Sequence, residues 1–208
     1  MCGRFALFTA PTDIMNRFVY IDQLGNYNPN YNVSPGTDIP VLFREEKRLV
    51  LGAKRWGLVP SWAKDPTIGN KLINARAETI TEKPSFRHNF RYRRCIIPAD
   101  GFYEWRKGQP FYVRFKNKSP IFLAGVHDYW YDPNGNTLET CIIITTAAND
   151  KLSEIHDRMP VIITPENAEQ WLSAETKSDL IAPLLIQTPS EMFDTFEADA
   201  PGEIILGC

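Results

Sequence analysis

Apolar residues in this chain come in short runs broken by polar turns, which is the rhythm of strands rather than of long helices. Ile39–Phe43 and Arg48–Trp56 read as two strands around the charged turn Arg44–Lys47. Leu72–Arg76 reads as another. A series then follows: Cys95–Ala99, Gly101–Arg106, Phe111–Phe115, Ile121–Trp130 and Thr137–Thr146, with a further strand at Met159–Ile163. The turns between them fall at 107–109, 116–118 and 132–136, the last holding an Asn-Gly hairpin signal. Helical patterning is scarcer. Residues 9–18 suit a short helix, with Thr9 or Thr12 near its cap and Pro11 in its first turn. Ser85–Arg93 reads as a short basic helix, Lys151–Ile155 as a helical turn, and Pro165–Ser173 and Ala174–Ile181 as two late helices, the second stopping before Pro183. Residues 25–36, rich in Asn, Tyr and Pro, read as a loop. Residues 57–71 read as an ordered functional loop that holds Trp62 and Ile68. The order of elements predicts an α+β fold: a mostly antiparallel sheet curled into a pseudo-barrel, with short helices at its flanks. Without a repeat, a low-complexity tract or a composition break, a single domain over residues 1–208 is expected.

Composition narrows the class. The chain has 208 residues, 43% of them hydrophobic, enough for one ample core. Its 23 basic and 25 acidic residues balance, which excludes a uniformly basic nucleic-acid binder but leaves room for a local basic patch. There is no signal-peptide pattern and no apolar run near the ~20 residues that cross a membrane. The cysteines at 2, 95, 141 and 208 form no CxxC pair, and a reduced cytoplasmic or nuclear setting with free thiols is expected.

Candidate chemistry begins at Met1-Cys2, which taken alone reads either as a frayed terminus with an arbitrary second residue or as a reactive one. Removal of Met1 leaves Cys2 with an α-amine and a thiol on adjacent carbons. The amine can condense with an aldehyde and the thiol can close onto the imine, giving a five-membered thiazolidine. The ordinary titrations, near ~7.7–8.0 for the amine and ~8.5 for the thiol, leave a minority of each nucleophilic at neutral pH. No GxSxG elbow, P-loop, GxGxxG or HExxH occurs, and His88, His127 and His156 are too scattered for a zinc site. What remains is a set of polar residues inside apolar runs. Asn74 and Arg76 share one face of a strand, either as a solvent-facing edge or as an amide beside a fork-shaped phosphate binder. Glu104 lies between Tyr103 and Trp105, either paired with an arginine or desolvated into a general acid. His156 and Arg158 precede the apolar run 161–163 and share a face if the backbone there is extended. His88 reads as helix surface and His127 as a half-buried strand residue. Arg87–Arg94 interleaves arginines with aromatics, either as a solvated face or as a track for a single nucleic-acid strand, which Trp62 and Trp105 could extend.

Taken together these stretches resemble the SOS-response-associated peptidase (SRAP) family. The shared motifs are MCGRF at 1–5, YNVSPG at 31–36, RWGLVPSWAKD at 55–65, NARAET at 74–79, RRCIIPADGFYEW at 93–105, AG at 124–125, TTAAN at 145–149 and HDRMPVI at 156–162. The resemblance implies the family's antiparallel pseudo-barrel and a monomer that reacts with the ring-opened aldehyde of an abasic site in single-stranded DNA, with suicidal or slowly reversible turnover. It implies Cys2 as nucleophile, Asn74 as a sugar-positioning group, Glu104 as the acid–base group of Schiff-base chemistry and His156 as an aid to ring opening. Arg4, Arg76 and Arg158 would hold phosphates. No metal, organic cofactor or membrane is implied. Two other readings stand beside it. An N-terminal-nucleophile amidohydrolase also begins Met-Cys-Gly and would hydrolyse glutamine. A non-catalytic single-strand-binding module would be indifferent to Cys2→Ala.

Overall fold

The computed structural model describes residues 2–18, 23–24 and 26–203. Met1, whose removal would free the Cys2 amine, and Cys208 lie outside the described residues. The strands, in chain order, are β1 (Arg4–Leu7), β2 (Gln23–Leu24), β3 (Asn30–Val33), β4 (Asp38–Glu45), β5 (Arg48–Trp56), β6 (Asn74–Arg76), β7 (Arg94–Ala99), β8 (Gly101–Arg106), β9 (Gln109–Phe115), β10 (Ile121–Tyr131), β11 (Thr137–Ala147), β12 (Arg158–Pro160) and β13 (Phe193–Glu197). The helices are α1 (Pro11–Met15), α2 (Arg87–Tyr92), α3 (Asp150–Ser153), α4 (Ala168–Leu172) and α5 (Ser178–Ile181), with 3-10 turns between.

Five strands close into a barrel. β5, β4, β7, β10 and β11 pair antiparallel in that order, and β11 returns to β5 in parallel, Thr140 opposite Arg55 and Cys141 opposite Trp56. Alternation along the strands then sorts the side chains. Val41, Phe43, Cys95, Ile97, Leu123, Cys141 and Ile143 meet in one cluster. Their neighbours Leu42, Ile96, Phe122, Ala124, Ile142 and Ile144 pack in a second, with Phe90, Trp171 and Ile181 from the helices. Gly125 is required where β10 lines the barrel, because a Cβ there would lie 2.8 Å from Ile142 O and 3.0 Å from Cys95 Sγ. A second antiparallel sheet, ordered β13-β9-β8-β1-β3, sets Phe5, Phe102, Val113 and Phe193 against the first cluster.

Most expected strands are present, and four were unforeseen, among them the two-residue β2. Residues 25–36 contain β3, the first residues form β1, and the C-terminal stretch supplies β13. Two helical expectations are corrected. The cap of α1 is Ala10, with Pro11 at its first position and no side-chain cap bond. Thr9 is engaged elsewhere, its hydroxyl donating to Asp100. Of 174–181 only Ser178–Ile181 is helical, because α4 ends at an extended Ser173 whose hydroxyl accepts from Glu175 N–H in a tight turn. Met159–Ile163 is likewise cut to β12 plus a single bridge, Leu123 to Ile162.

The loop 57–71 is ordered, for identifiable reasons. Gly57 has φ +134° and its would-be Cβ lies 2.7 Å from Gly69 O, so two backbones close the loop neck where no side chain fits. Trp56 Nε1 donates to Ile73 O, Ser61 N–H to Asp128, and Trp130 Nε1 to Ala63 O. Among the described residues no helix is long and apolar enough to cross a membrane, which says nothing of strands.

Candidate active site

Three sheet registers bring the candidate residues together. β1 runs antiparallel to β8 with Arg4 opposite Tyr103, which puts Cys2, just before β1, beside the Glu104 end of β8. β6 runs parallel to β11, Asn74 beside Ile143 and Arg76 beside Thr145. β12 lies along the other edge of β11, Arg158 opposite Ala147, and so brings His156 to the same end of that strand. Asn74 Nδ2 donates to Cys2 O at 2.9 Å, tying the start of the chain to β6. Asn74 Oδ1 is buried and accepts no hydrogen bond among the described residues.

Electrostatics marks the same convergence. Glu104 is 3% exposed, and its pKa is pushed up to about 7, chiefly by burial, against the opposing positive charge of the amino terminus. The alternative expectation, a carboxylate held ionised by an arginine, has no arginine among the causes of that shift. The Cys2 thiol is fully buried and driven far above its ordinary range, first by desolvation and then by the Glu104 carboxylate. That corrects the expectation of a partly ionised thiol: here the sulfur keeps its proton until a base takes it. His156 is shifted down, by burial and then by the amino-terminal charge, so it is neutral at neutral pH. Its Nδ1 accepts from Arg158 N–H at 3.0 Å, which leaves the proton on Nε2. The backbone bends at Asp157 and becomes extended only from Arg158, so the condition for His156 and Arg158 to share a strand face is not met. The exposed carboxylate of Asp157 sits 2.9 Å from the same Nδ1 and becomes its partner only when the ring is protonated.

The arginines divide. Arg76 is exposed, whereas Arg158 is clamped by Glu78 in a two-pronged pair at 2.7 and 2.9 Å and donates to Thr145 O at 2.6 Å. That contact pulls the Glu78 carboxyl below its ordinary range. Arg4 reaches Asn32 Oδ1 at 3.3 Å. The basic run 87–94 does not form one track. Arg87 and Arg91 are exposed on α2, but Arg93 pairs with buried Asp128. Arg94 is buried, its guanidinium donating to the carbonyls of Phe90, Arg91, Trp171 and Ser173 at the ends of α2 and α4. Trp62 is 60% exposed on the ordered loop, while Trp105 is half-buried against Tyr103 and Tyr112. His88 is surface, as expected, but His127 is fully buried rather than half-buried. Glu78, two residues after Arg76 and a natural partner for it by sequence, is paired instead with Arg158.

Known proteins resemble this chain along most of its length. The model for "SOS response associated peptidase (SRAP)" matches residues 1–199. The chain is 44% identical to the abasic site processing protein YoqW of Bacillus subtilis (strain 168), across 96% of this chain and 93% of that protein. It is 35% identical to the abasic site processing protein YedK of Escherichia coli (strain K12), across 84% and 81%. It is 34% identical to the abasic site processing protein HMCES of Xenopus tropicalis, across 83% and 66%. A solved structure of a protein from Bacteroides thetaiotaomicron superposes with a TM-score of 0.85 at 31% identity, covering 94% of this chain and 91% of that one.

Proposed function

The chain belongs to the SOS response associated peptidase (SRAP) family, and from that membership we propose that it senses abasic sites in DNA and, once Met1 is removed, bonds to them covalently through Cys2. The observation that carries the reading is the meeting of Cys2 with Asn74, buried Glu104 and neutral His156. In the proposed sequence the freed amine adds to the sugar aldehyde, the carbinolamine loses water to give an imine, and the Cys2 sulfur adds to the imine carbon. The thiol proton ends on the ring nitrogen, so aldehyde plus aminothiol yields thiazolidine and one water. Glu104 supplies the proton that the departing water needs. His156, with its proton on Nε2, serves ring opening of the closed sugar. Asn74 holds Cys2 by its carbonyl and offers Oδ1 to a sugar hydroxyl. The proposed substrate is single-stranded DNA, in which an unstacked sugar can enter the site without a duplex having to open. Intact mass tests the reading. Processed protein mixed with an abasic single-stranded oligonucleotide should gain the mass of the oligonucleotide less one water. Processed protein that gains no such mass under conditions where a free N-terminal cysteine peptide does would overturn it.

Arg4, Arg76, Arg158 and Arg87 are the proposed phosphate contacts, with Trp62 and Trp105 as stacking surfaces, and the arginines are not equivalent. For Arg158 a phosphate must displace Glu78, so little net charge is gained there. Removing Arg76 should therefore flatten the log–log salt dependence of single-strand affinity by about 0.7, one phosphate's worth. Arg158→Ala should flatten it less. Fluorescence anisotropy across a salt series checks both. An unchanged slope in Arg76→Ala would make Arg76 a structural residue.

A further inference from the structure

β1 alternates, and the face opposite Phe5 and Leu7 carries Arg4, Ala6 and Phe8, the last just beyond the strand; Ala6 is buried under Tyr103, Tyr112 and Ala198, and Arg4 and Phe8 flank it. β3 pairs with it through a register shift, Phe5 opposite Val33 but Leu7 opposite Asn30. Asn32 then meets Arg4 on this face and Tyr31 meets Phe8. The Phe8 and Tyr31 rings lie stacked, centroids 5.1 Å apart and planes 23° from parallel. Both remain exposed, at 37% and 38%. Stacked aromatics left this open are out of keeping with a core that buries Phe5 and Leu7 on the same strand. They are also held from below. The Phe8 N–H donates to the buried carboxylate of Asp100, and Tyr31 O accepts the hydroxyl of buried Tyr103 at 3.1 Å. Tyr103 in turn accepts from Gly202 N–H at 3.1 Å, so the backbone beneath the pair is tied to the start of β8 and through it to the C-terminal stretch.

We propose that Phe8 and Tyr31 form a stacking platform for a nucleobase flanking the abasic nucleotide, a subsite on the same sheet face as Arg4. The proposal rests on the reading of the Cys2 site as DNA-reactive. Four residues of strand separate Arg4 from Phe8, about 13 Å at roughly 3.3 Å per residue. That span is about four nucleotides of a fully stacked strand at 3.4 Å each, and fewer of an extended one. A strand whose phosphate lies on Arg4 therefore brings one base, a few nucleotides from the reactive sugar, over the aromatic pair. Stacking is indifferent to base identity, which suits a protein that must act wherever a base has been lost. A polypeptide partner is the competing occupant, and the experiment separates the two.

The test uses single-stranded oligonucleotides with an unreactive tetrahydrofuran abasic analogue and 2-aminopurine at each of the four positions on either side. Wild type should quench the probe strongly at one position on one side only. Phe8→Ala should abolish that quench and weaken binding about five- to hundredfold, the measured range for losing one base–aromatic stack. Phe8→Trp should restore both. Tyr131→Ala, which removes an exposed aromatic at the end of β10, should change neither. Uniform quenching along the strand, an unaltered Phe8→Ala, or equal loss in Tyr131→Ala would each overturn the platform. Because the analogue cannot crosslink, a failure of the covalent chemistry leaves this measurement intact. A protein that crosslinks abasic DNA yet shows no position-specific quench overturns the platform alone.

Discussion

Cys2→Ala is expected to remove the heat-stable DNA adduct altogether while leaving an imine that borohydride can trap. On the proposed chemistry the α-amine of the processed variant still condenses with the aldehyde, but no sulfur remains to close the ring, and the imine hydrolyses on denaturation. Damage to the fold stays moderate, because only one atom is removed: losing one buried sulfur costs about 0.5–3 kcal/mol, within the ordinary range for a point change. The high thiol pKa adds a kinetic expectation. Desolvation and the Glu104 carboxylate hold the proton on sulfur, so the amine reacts first and the thiol closes second. Early borohydride quenching of wild type should therefore also trap imine, and that fraction should fall as the stable adduct grows. Denaturing gels with and without reductant follow both species. A heat-stable Cys2→Ala adduct formed without reductant would sink the thiazolidine, and an adduct formed equally by protein that retains Met1 would remove the amine from the chemistry.

How far this could be read from the sequence depends on where each signal resides. The barrel strands β4, β5, β7, β10 and β11 were legible because each carries its own apolar run and is bounded by local turns. β1, β3 and β13 were not. β3 is exposed along most of its length and β13 mixes Phe with Asp, Thr and Glu, so neither has an intrinsic strand pattern. Their conformation comes from partners far along the chain, β8 for β1 and β9 for β13. The parallel return of β11 to β5 that closes the barrel is a tertiary event with no local trace. Over-reading of 174–181 has the opposite cause: good helix formers were overridden by a turn at Ser173.

The site divides in the same way. Asn74, Glu104 and His156 stood out as polar residues where an apolar run would not choose them, and the registers bring them to Cys2. Partner choice was hidden. Arg93 and Arg94 look identical to Arg87 and Arg91 in a basic run. Yet Arg94 opens a strand whose residues are all buried, and its charge is spent on helix-end carbonyls. Arg158 and Glu78 are likewise far apart in sequence and joined only through β11. A charge run read one residue at a time cannot tell a phosphate contact from an internal clamp.

Glu104→Gln should slow formation of the covalent bond by about 10²–10⁴-fold, the usual worth of a positioned acid, while leaving affinity for intact single-stranded DNA within a few fold. The pH profile is the sharper readout. With a pKa near 7, about half of the Glu104 carboxyl is protonated at neutrality, whereas at the ordinary value of 4.5 almost none would be. The acid form is present below pH 7 and lost above it, so this group contributes a limb that falls as pH rises. The amine must be unprotonated and titrates near ~7.7–8.0, which contributes a limb that rises. Wild type should accordingly show a bell with its maximum between the two, and Glu104→Gln should lose the falling limb and keep the rising one. Reversal must slow as well, because thiazolidine opening passes back through the same imine and needs the same proton in the other direction. His156→Ala should show a milder forward defect and a slower release of DNA, since a neutral imidazole with its proton on Nε2 serves ring opening and closing rather than loss of water. Single-turnover crosslinking and release, followed from about pH 5 to 9 to span both titrations, resolve the three proteins. A Glu104→Gln variant that keeps the full bell in both directions would make Glu104 a structural carboxylate. The acid would then have to be sought in another residue, since His156 is held neutral across the range where that limb falls.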